Sequence, residues 1–271
     1  MDTTRKLELL ARAGYAARGL VYLLVGLMAI LGSLGGGSPD SKSALQLVLG
    51  QPLGRVWLGI AAIAMVGFIL WRLLQALGNA DHHPDDLKGY VVRAGLLVSA
   101  ATYGGLAIFA ARHALNLGGQ ASGDGSRSWT AWLMQQPFGR YLVAFVALCI
   151  LGAGVAHIVK ALTRGYHRYL SFDARTHSGL DLFCVYGLVA KGCVFLIISV
   201  FFFYAAFTVD PDQAGSMADA LSFVRQLPFG AILYVLMGLG LCSFGFYSFI
   251  EARYRRVVPP SLAEARSAMP I

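Results

Sequence analysis

Six long, continuously apolar segments limit what this chain can fold into more than any other feature of its sequence. They span about residues 13–34, 55–77, 91–115, 139–162, 181–208 and 229–251. At about 1.5 Å per residue, a helix of each length crosses ~30 Å of hydrocarbon. The segments lack the polar–apolar alternation of membrane β-strands. The sequence therefore predicts an all-α, polytopic membrane protein with six transmembrane helices.

The composition supports this prediction. Of the 271 residues, 57% are hydrophobic and 13% are charged, whereas soluble domains carry about 25% charged residues. Disordered, collagen-like and nucleic-acid-binding proteins are excluded, so we expect no nucleic-acid partner. The formal net charge of +8 is then interpreted by its position along the chain, because basic residues report orientation in membrane proteins.

Basic residues are concentrated on one side of the predicted membrane. Sixteen of the 22 Lys and Arg residues lie on the side that holds both termini and the loops after the second and fourth apolar segments, either in these stretches or within the adjoining half of an apolar segment. The positive-inside rule places that side, with both termini, in the cytoplasm. Three tryptophans lie near the predicted outer boundary and Trp71 lies near the inner one, as in an aromatic belt.

The six apolar segments form three consecutive pairs, and a similar five-residue motif lies at the start of the second segment of each pair. The motifs are Q-P-L-G-R at 51–55, Q-P-F-G-R at 136–140 and L-P-F-G-A at 227–231. A short, half-apolar stretch comes before each motif, and we predict that it forms a helix along the membrane surface. The proline suits the first turn of the following helix, and the glycine permits close approach of another backbone.

The first apolar segments of the pairs also align with one another. A stripe at spacings of four contains Gly14, Arg18 and Tyr22, then Gly95, Ser99 and Tyr103, then Gly187, Lys191 and Phe195. This spacing puts each set on one helical face, and its small residues predict close helix packing. We predict three parallel two-helix repeats, at 1–80, 81–165 and 166–256, in a pseudo-threefold bundle with a cytoplasmic tail at 257–271.

The opening word R-A-G-Y-A-A-R-G-L-V-Y and the repeated Q-P-[LF]-G-R resemble the bacterial membrane family catalogued as domain of unknown function 1206. The resemblance covers about residues 9–253. It implies a multi-pass protein of the bacterial inner (plasma) membrane with three two-helix units, and it implies no activity. Copy two has Ser99 where the other copies have Arg or Lys, and copy three has Ala231 where the others have Arg.

Arg18 and Lys191 lie inside apolar segments, which makes them the first candidates for function. One interpretation is that they snorkel to the nearby boundary. The other is that they form a basic ring that binds an anionic lipid headgroup or a small anionic solute. The predicted ring contains Arg12, Arg18, Arg72, Arg93, His157, Lys160 and Lys191.

The cytoplasmic ends of the second helices differ among the copies. Arg72 corresponds to His157 and Ser248, and Gln75 corresponds to Lys160 and Glu251. We interpret this divergence as a sign that the copies share no chemistry. Because Glu251 lies only at the end of its segment, the sequence also argues against a pump built on buried carboxylates.

No catalytic or metal-binding pattern stands out. The words G-x-S-x-G, H-E-x-x-H and G-x-x-x-x-G-K-[ST] do not occur. Residues 81–86 carry metal-type ligands, but a solvated loop with a proline turn explains them. We therefore predict no catalytic residues, no metal and no cofactor.

Three functional hypotheses follow. The first is a transporter, channel or binder with a basic cytoplasmic vestibule for an anionic or lipid ligand. The second is a scaffold of a larger membrane complex, with another membrane protein or a second copy of the chain as its partner. The third, an intramembrane enzyme, has the least support because no catalytic motif is found.

Overall fold

The computed structural model describes residues 3–35, 46, 48–50, 52–79, 81, 84, 86–117, 125–167 and 178–255. Most of these residues are helical, in eight α-helices and a short 3₁₀ helix (Pro211–Gln213), and the described residues contain no strand. In chain order the helices are α1 (Thr3–Gly35), α2 (Gly54–Leu77), α3 (Leu87–Ala114), α4 (Gly125–Met134), α5 (Gly139–Leu162), α6 (Ser178–Thr208), α7 (Met217–Gln226) and α8 (Gly230–Tyr254).

Six of the helices are long and apolar enough to cross a membrane: α1, α2, α3, α5, α6 and α8. The predicted fold class is confirmed. The short helices α4 and α7 precede the second long helix of repeats two and three, as predicted, whereas most of the first such stretch lies outside the described residues. The end of the bundle that carries the N-terminus, the α2–α3 and α5–α6 loops and the end of α8 is called the basic end below.

The same turn starts α2, α5 and α8. The residue before each helix, Leu53, Phe138 or Phe229, has a left-handed backbone with φ of 59°, 60° and 59° and an exposed side chain. The following glycine lies against the preceding short segment: a Cβ on Gly139 would stand 2.4 Å from the Met134 carbonyl oxygen. Glycine is therefore needed here for close approach, whereas the left-handed position is occupied by an apolar residue.

Replacing Gly139 by alanine is expected to lower the free energy of unfolding by about 1–3 kcal/mol, because the added methyl group overlaps the Met134 carbonyl. Thermal unfolding in mild detergent measures the effect. Gly152→Ala is the matched control on the same helix, since nothing described lies within 4 Å of its added Cβ. Equal unfolding temperatures for the two variants would contradict this account of the turn.

The six long helices pack in a cyclic order. The second helix of each repeat packs on the first helix of the next: α2 on α3, α5 on α6, and α8 back on α1. Equivalent glycines mediate two of these contacts. A Cβ on Gly245 would be 2.8 Å from the Gly19 carbonyl oxygen, and a Cβ on Gly192 would be 2.9 Å from that of Gly154. Three repeats arranged in this way fit the predicted threefold arrangement.

Repeats one and three are also closed internally, by packing of α1 on α2 and of α6 on α8. A Cβ on Gly14 would be 2.7 Å from the Phe68 backbone nitrogen, and one on Gly187 would be 2.3 Å from that of Phe244. Among the described residues, no comparable packing joins α3 to α5 in repeat two. Gly95, the equivalent of Gly14 and Gly187, is exposed, and nothing described lies within 4 Å of its Cβ position.

The missing contact leaves a gap between α3 and α5, and the residues on both sides of this gap differ from the equivalent residues of repeats one and three. On α3, Val98 is 53% exposed and Thr102 is exposed, whereas their equivalents in α1 and α6 are buried. On α5, Ala153 and Ala156 stand where repeats one and three have large buried aromatic residues. The gap bordered by Gly95, Val98, Thr102, Ala153 and Ala156 is called the α3–α5 opening below.

Three of the four tryptophans are placed as the predicted aromatic belt requires, and the fourth is not. Trp57, Trp129 and Trp132 are exposed, in keeping with a boundary position. Trp71 is buried, and its indole N–H donates a hydrogen bond of 3.2 Å to the Tyr15 hydroxyl. The sequence placed Trp71 in the belt because of its depth along α2, but that face of α2 packs against α1.

Candidate functional site

Arg12 and Arg93 lie at the rim of the basic end. Arg12 pairs with Glu8 at 2.7 Å and donates to the Arg253 carbonyl oxygen at 2.7 Å. Arg93 donates to the Ala76 carbonyl oxygen at 2.6 Å. Both side chains thus satisfy carbonyl groups at helix C-termini, which have no partner within the helix itself.

Arg18 is buried, with only 4% of its surface exposed, so it does not follow the lipid face to the boundary. Its guanidinium forms an ion pair with Glu251 and donates to the Ser248 hydroxyl at 3.1 Å. The other carboxylate oxygen of Glu251 accepts a bond of 2.8 Å from Arg255. One buried carboxylate on α8 therefore holds two guanidinium groups.

The same network continues into α2. Arg255 donates to Asp81 at 2.9 Å, and the Gln75 amide donates to the same carboxylate oxygen at 2.7 Å. Arg72 in turn donates to the side-chain amide oxygen Oε1 of Gln75 at 3.1 Å. The chain of contacts joins α1, α8, the α2–α3 loop and α2 at the basic end.

One sequence interpretation is therefore wrong. Asp81 does not belong to a merely solvated loop, because it pairs with Arg255 and Gln75. The equivalent residues Gln75 and Glu251 take different roles in the network, where they are linked through Asp81 and Arg255. Each copy supplies a different group to one asymmetric network.

Lys191 is the equivalent of Arg18 but has no such partners. It is 6% exposed, and its Nζ lies 4.1 Å from the ring centre of Phe244 and 4.5 Å from that of Tyr22. In the ranges that the structure describes, no hydrogen-bond acceptor or carboxylate contacts this ammonium group. Aromatic faces attract a cation, but they do not neutralise its charge.

His157 and Lys160 approach the same region from α5. The His157 ring lies 5.5 Å from Phe195 and bonds the Ala153 carbonyl oxygen at 2.7 Å through Nδ1. Lys160 Nζ donates to the Tyr247 hydroxyl at 2.8 Å. Five of the seven predicted site residues are thus brought together: Arg18, Arg72, His157, Lys160 and Lys191.

The predicted packing stripe is distributed around these groups. Gly14 and Gly187 contact α2 and α8 closely, and Tyr22 and Phe195 face Lys191. Tyr103 packs on Phe68, with ring centres 4.7 Å apart. Only Gly95 lies apart, at the α3–α5 opening.

Among the described residues of this region, which is called the buried charge cluster below, cationic side chains outnumber carboxylates. Its cationic side chains are Arg18, Arg72, Lys160, Lys191 and Arg255, and its carboxylates are Asp81 and Glu251. Arg72 Nε is also buried without a hydrogen-bond partner in the described part of the chain. Buried charges are normally paired, so the cluster has the chemistry of an anion-binding site.

A separate polar cluster orders the loop after α5. Asp181 at the start of α6 accepts hydrogen bonds from Tyr166, from His167 at 2.9 Å and from Arg164 at 2.7 Å. Burial and the bond to Asp181 raise the pKa of the Tyr166 phenol above its ordinary value. The remaining bonding capacity of the carboxylate is small, which indicates a structural role.

Sequence reasoning missed Asp81, Glu251 and Arg255 as parts of the site. One signal was available: Ser248, Glu251 and Arg255 are spaced by three and four residues and so share one face of α8. The pairing with Asp81 had no local signal, because the two residues are far apart in the chain.

These features define an integral membrane protein with six apolar spanning helices in three two-helix repeats. Residues 13–78, 94–164 and 186–255 match the family described as Domain of Unknown Function (DUF1206), and the chain belongs to this family. It is similar to Uncharacterized protein YxxB of Bacillus subtilis (strain 168), with 27% identity over 263 residues and 94% of each chain covered. No solved structure matches the chain.

Proposed function

We propose that this protein binds an anionic ligand at the buried charge cluster and is a transporter or binder of that ligand. The observation that carries the proposal is Lys191, a buried residue whose ammonium group has aromatic neighbours and no acceptor among the described residues. A buried charge without a partner is costly. An anion beside Lys191 would supply the missing partner.

The cations of the cluster divide into two roles in this proposal. Arg18 and Arg255 are both engaged by Glu251, and the Arg18–Glu251 pair joins α1 to α8. Lys191 is the principal ligand-binding cation, and Arg72 contributes its Nε group. The bound group is an anion small enough to fit beside aromatic rings, such as a phosphate, either free or carried by a lipid.

The proposed site lies at the basic end of the bundle. The positive-inside rule puts this end in the cytoplasm of a bacterial inner membrane. A basic site at this end would suit recognition of headgroups or of cytoplasmic solutes, since basic pockets between helices on the cytoplasmic side bind anionic headgroups.

Replacing Lys191 by methionine is expected to lower affinity for anions by about tenfold or more, which corresponds to at least ~1.4 kcal/mol of binding free energy. Inorganic phosphate and phosphatidylglycerol are the two probes, titrated into the detergent-solubilised protein. Thermal stability is expected to be retained or raised, because an apolar side chain of similar volume replaces an uncompensated buried cation.

Arg112→Met is the control, since this exposed residue lies at the opposite end of α3. It is expected to bind both probes as the wild type does. The proposal is overturned if the wild type binds neither anion more tightly than Lys191→Met. In proteoliposomes, Lys191-dependent flux of the bound probe would identify a transporter, and binding without flux would identify a binder.

A further inference from the structure

We infer that the anionic ligand is a membrane phospholipid that enters the bundle from the bilayer through the α3–α5 opening. This inference rests on the proposed function, and it specifies both the source of the anion and its path. The occupant of the opening is an acyl chain of that lipid, and its phosphate group lies at the buried charge cluster.

The first observation is the asymmetry of the three repeats. Four of the five residues that border the opening have small or apolar side chains, and Gly95 has free space at its Cβ position. The equivalent seams in repeats one and three are closed, by Phe68 against α1 and by Phe244 against α6. An apolar gap between spanning helices faces hydrocarbon, and an acyl chain can fill it without desolvating polar groups.

The second observation is independent of the apolar walls. Tyr103, on α3, is only 9% exposed, and its buried hydroxyl group lies beside that of Tyr22, with no other hydrogen-bond partner in the described ranges. His157, on α5, lies on the other side of the opening and faces Phe195 and Phe244. Lys191 contacts the same two rings, so this buried cation lies close to the α5 side of the opening.

Charge complementarity favours a lipid over a free solute. The path through the opening is apolar, which would exclude a small hydrated anion, whereas the cluster behind it is cationic. A phospholipid combines one anionic phosphate with hydrocarbon chains and so matches both parts. Ser99 on α3 occupies the position in its repeat that Arg18 and Lys191 occupy in theirs. Because equivalent positions lie at the same depth in the bundle, the part of the opening next to Ser99 is level with these two cations.

Filling the opening tests the inference. Ala153→Phe restores the phenylalanine that repeats one and three carry. Ala156→Trp introduces, at a second, exposed position, the tryptophan that repeat one carries. Each variant is expected to lower retention of phosphatidylglycerol by about tenfold or more, as measured by native mass spectrometry from mild detergent. Ile63→Trp is the control, because this residue is 67% exposed on α2 and lies outside the opening.

The probes separate this inference from the proposed function. Added inorganic phosphate is expected to bind Ala153→Phe as it binds the wild type, because the buried charge cluster is unchanged. Unaltered phosphatidylglycerol retention by both Ala153→Phe and Ala156→Trp would overturn the lipid path while leaving anion binding intact. Binding of phosphate without phosphatidylglycerol would identify a solute instead. A wild-type dimer that Ala153→Phe dissociates would identify a second copy of the chain as the occupant and overturn the inference.

Discussion

Glu251→Gln is expected to lower the free energy of unfolding by about 3–5 kcal/mol, the cost of removing one partner from a buried ion pair. Glu251 is the carboxylate that both Arg18 and Arg255 contact, and glutamine keeps its volume while removing its charge. The change therefore leaves two buried guanidinium groups without their shared anion. Unfolding in mild detergent, followed by tryptophan fluorescence, measures the loss.

Glu8→Gln is the matched control, because Glu8 pairs with Arg12 in a partly exposed site. An exposed pair contributes about 0–1 kcal/mol, so this variant is expected to unfold almost as the wild type does. Adding Arg18→Met to Glu251→Gln should recover part of the loss, since the two residues are coupled. Equal stability of Glu251→Gln and Glu8→Gln would show that the network does not hold the helices together.

The three equivalent stripe glycines are expected to respond very differently to leucine. Gly14→Leu and Gly187→Leu should each cost about 3 kcal/mol or more, or prevent folding, because overpacking at a closed seam forces backbone shifts. A Cβ at these positions already overlaps the backbone of Phe68 or Phe244. Gly95→Leu should change stability by about 0.5 kcal/mol or less, as expected for a side chain in open space.

The yield of monodisperse protein and its unfolding temperature measure these effects. All three variants make the same chemical change at the same place in the repeat, so helix propensity and added apolar area are matched. A loss for Gly95→Leu as large as that for Gly14→Leu would mean that α3 packs against α5 as tightly as α1 packs against α2. The α3–α5 opening would then be absent from the protein in solution.

The sequence was sufficient to predict the spans and the threefold repetition. A membrane span needs a run of apolar residues, and this requirement is local, so it can be read directly from the chain. The repeated motifs at the starts of α2, α5 and α8 were equally informative. In each of them the glycine, Gly54, Gly139 or Gly230, lies so close to a preceding carbonyl oxygen that a Cβ would overlap it. The proposed repeat boundaries at residues 80, 165 and 256 remain predictions.

The buried charge cluster could be predicted only in part. Arg18 and Lys191 stood out because cations are rare within apolar runs. Their different environments could not be foreseen, because Glu251 approaches Arg18 from the far end of the chain and no comparable carboxylate approaches Lys191 among the described residues. Tertiary packing, rather than spacing, decides which cation is neutralised.

The asymmetry of repeat two is visible in the sequence once the copies are aligned. Ala153 and Ala156 replace aromatic residues that are buried in the other copies. The consequence was not predictable from that alone, because helices often move together to close over small residues. Here α5 packs on α6, as α2 packs on α3, but the seam between α3 and α5 is left unfilled among the described residues.

The cyclic packing order makes the first and last helices of the chain neighbours. Since α8 contacts α1 in the way that α2 contacts α3, the first and last helices are neighbours and their ends lie on the same side of the bundle. Joining these ends and cutting the chain in the α2–α3 or α5–α6 loop would preserve every helix contact. The fold is thus compatible with circular permutation, and its geometry does not depend on which hairpin comes first.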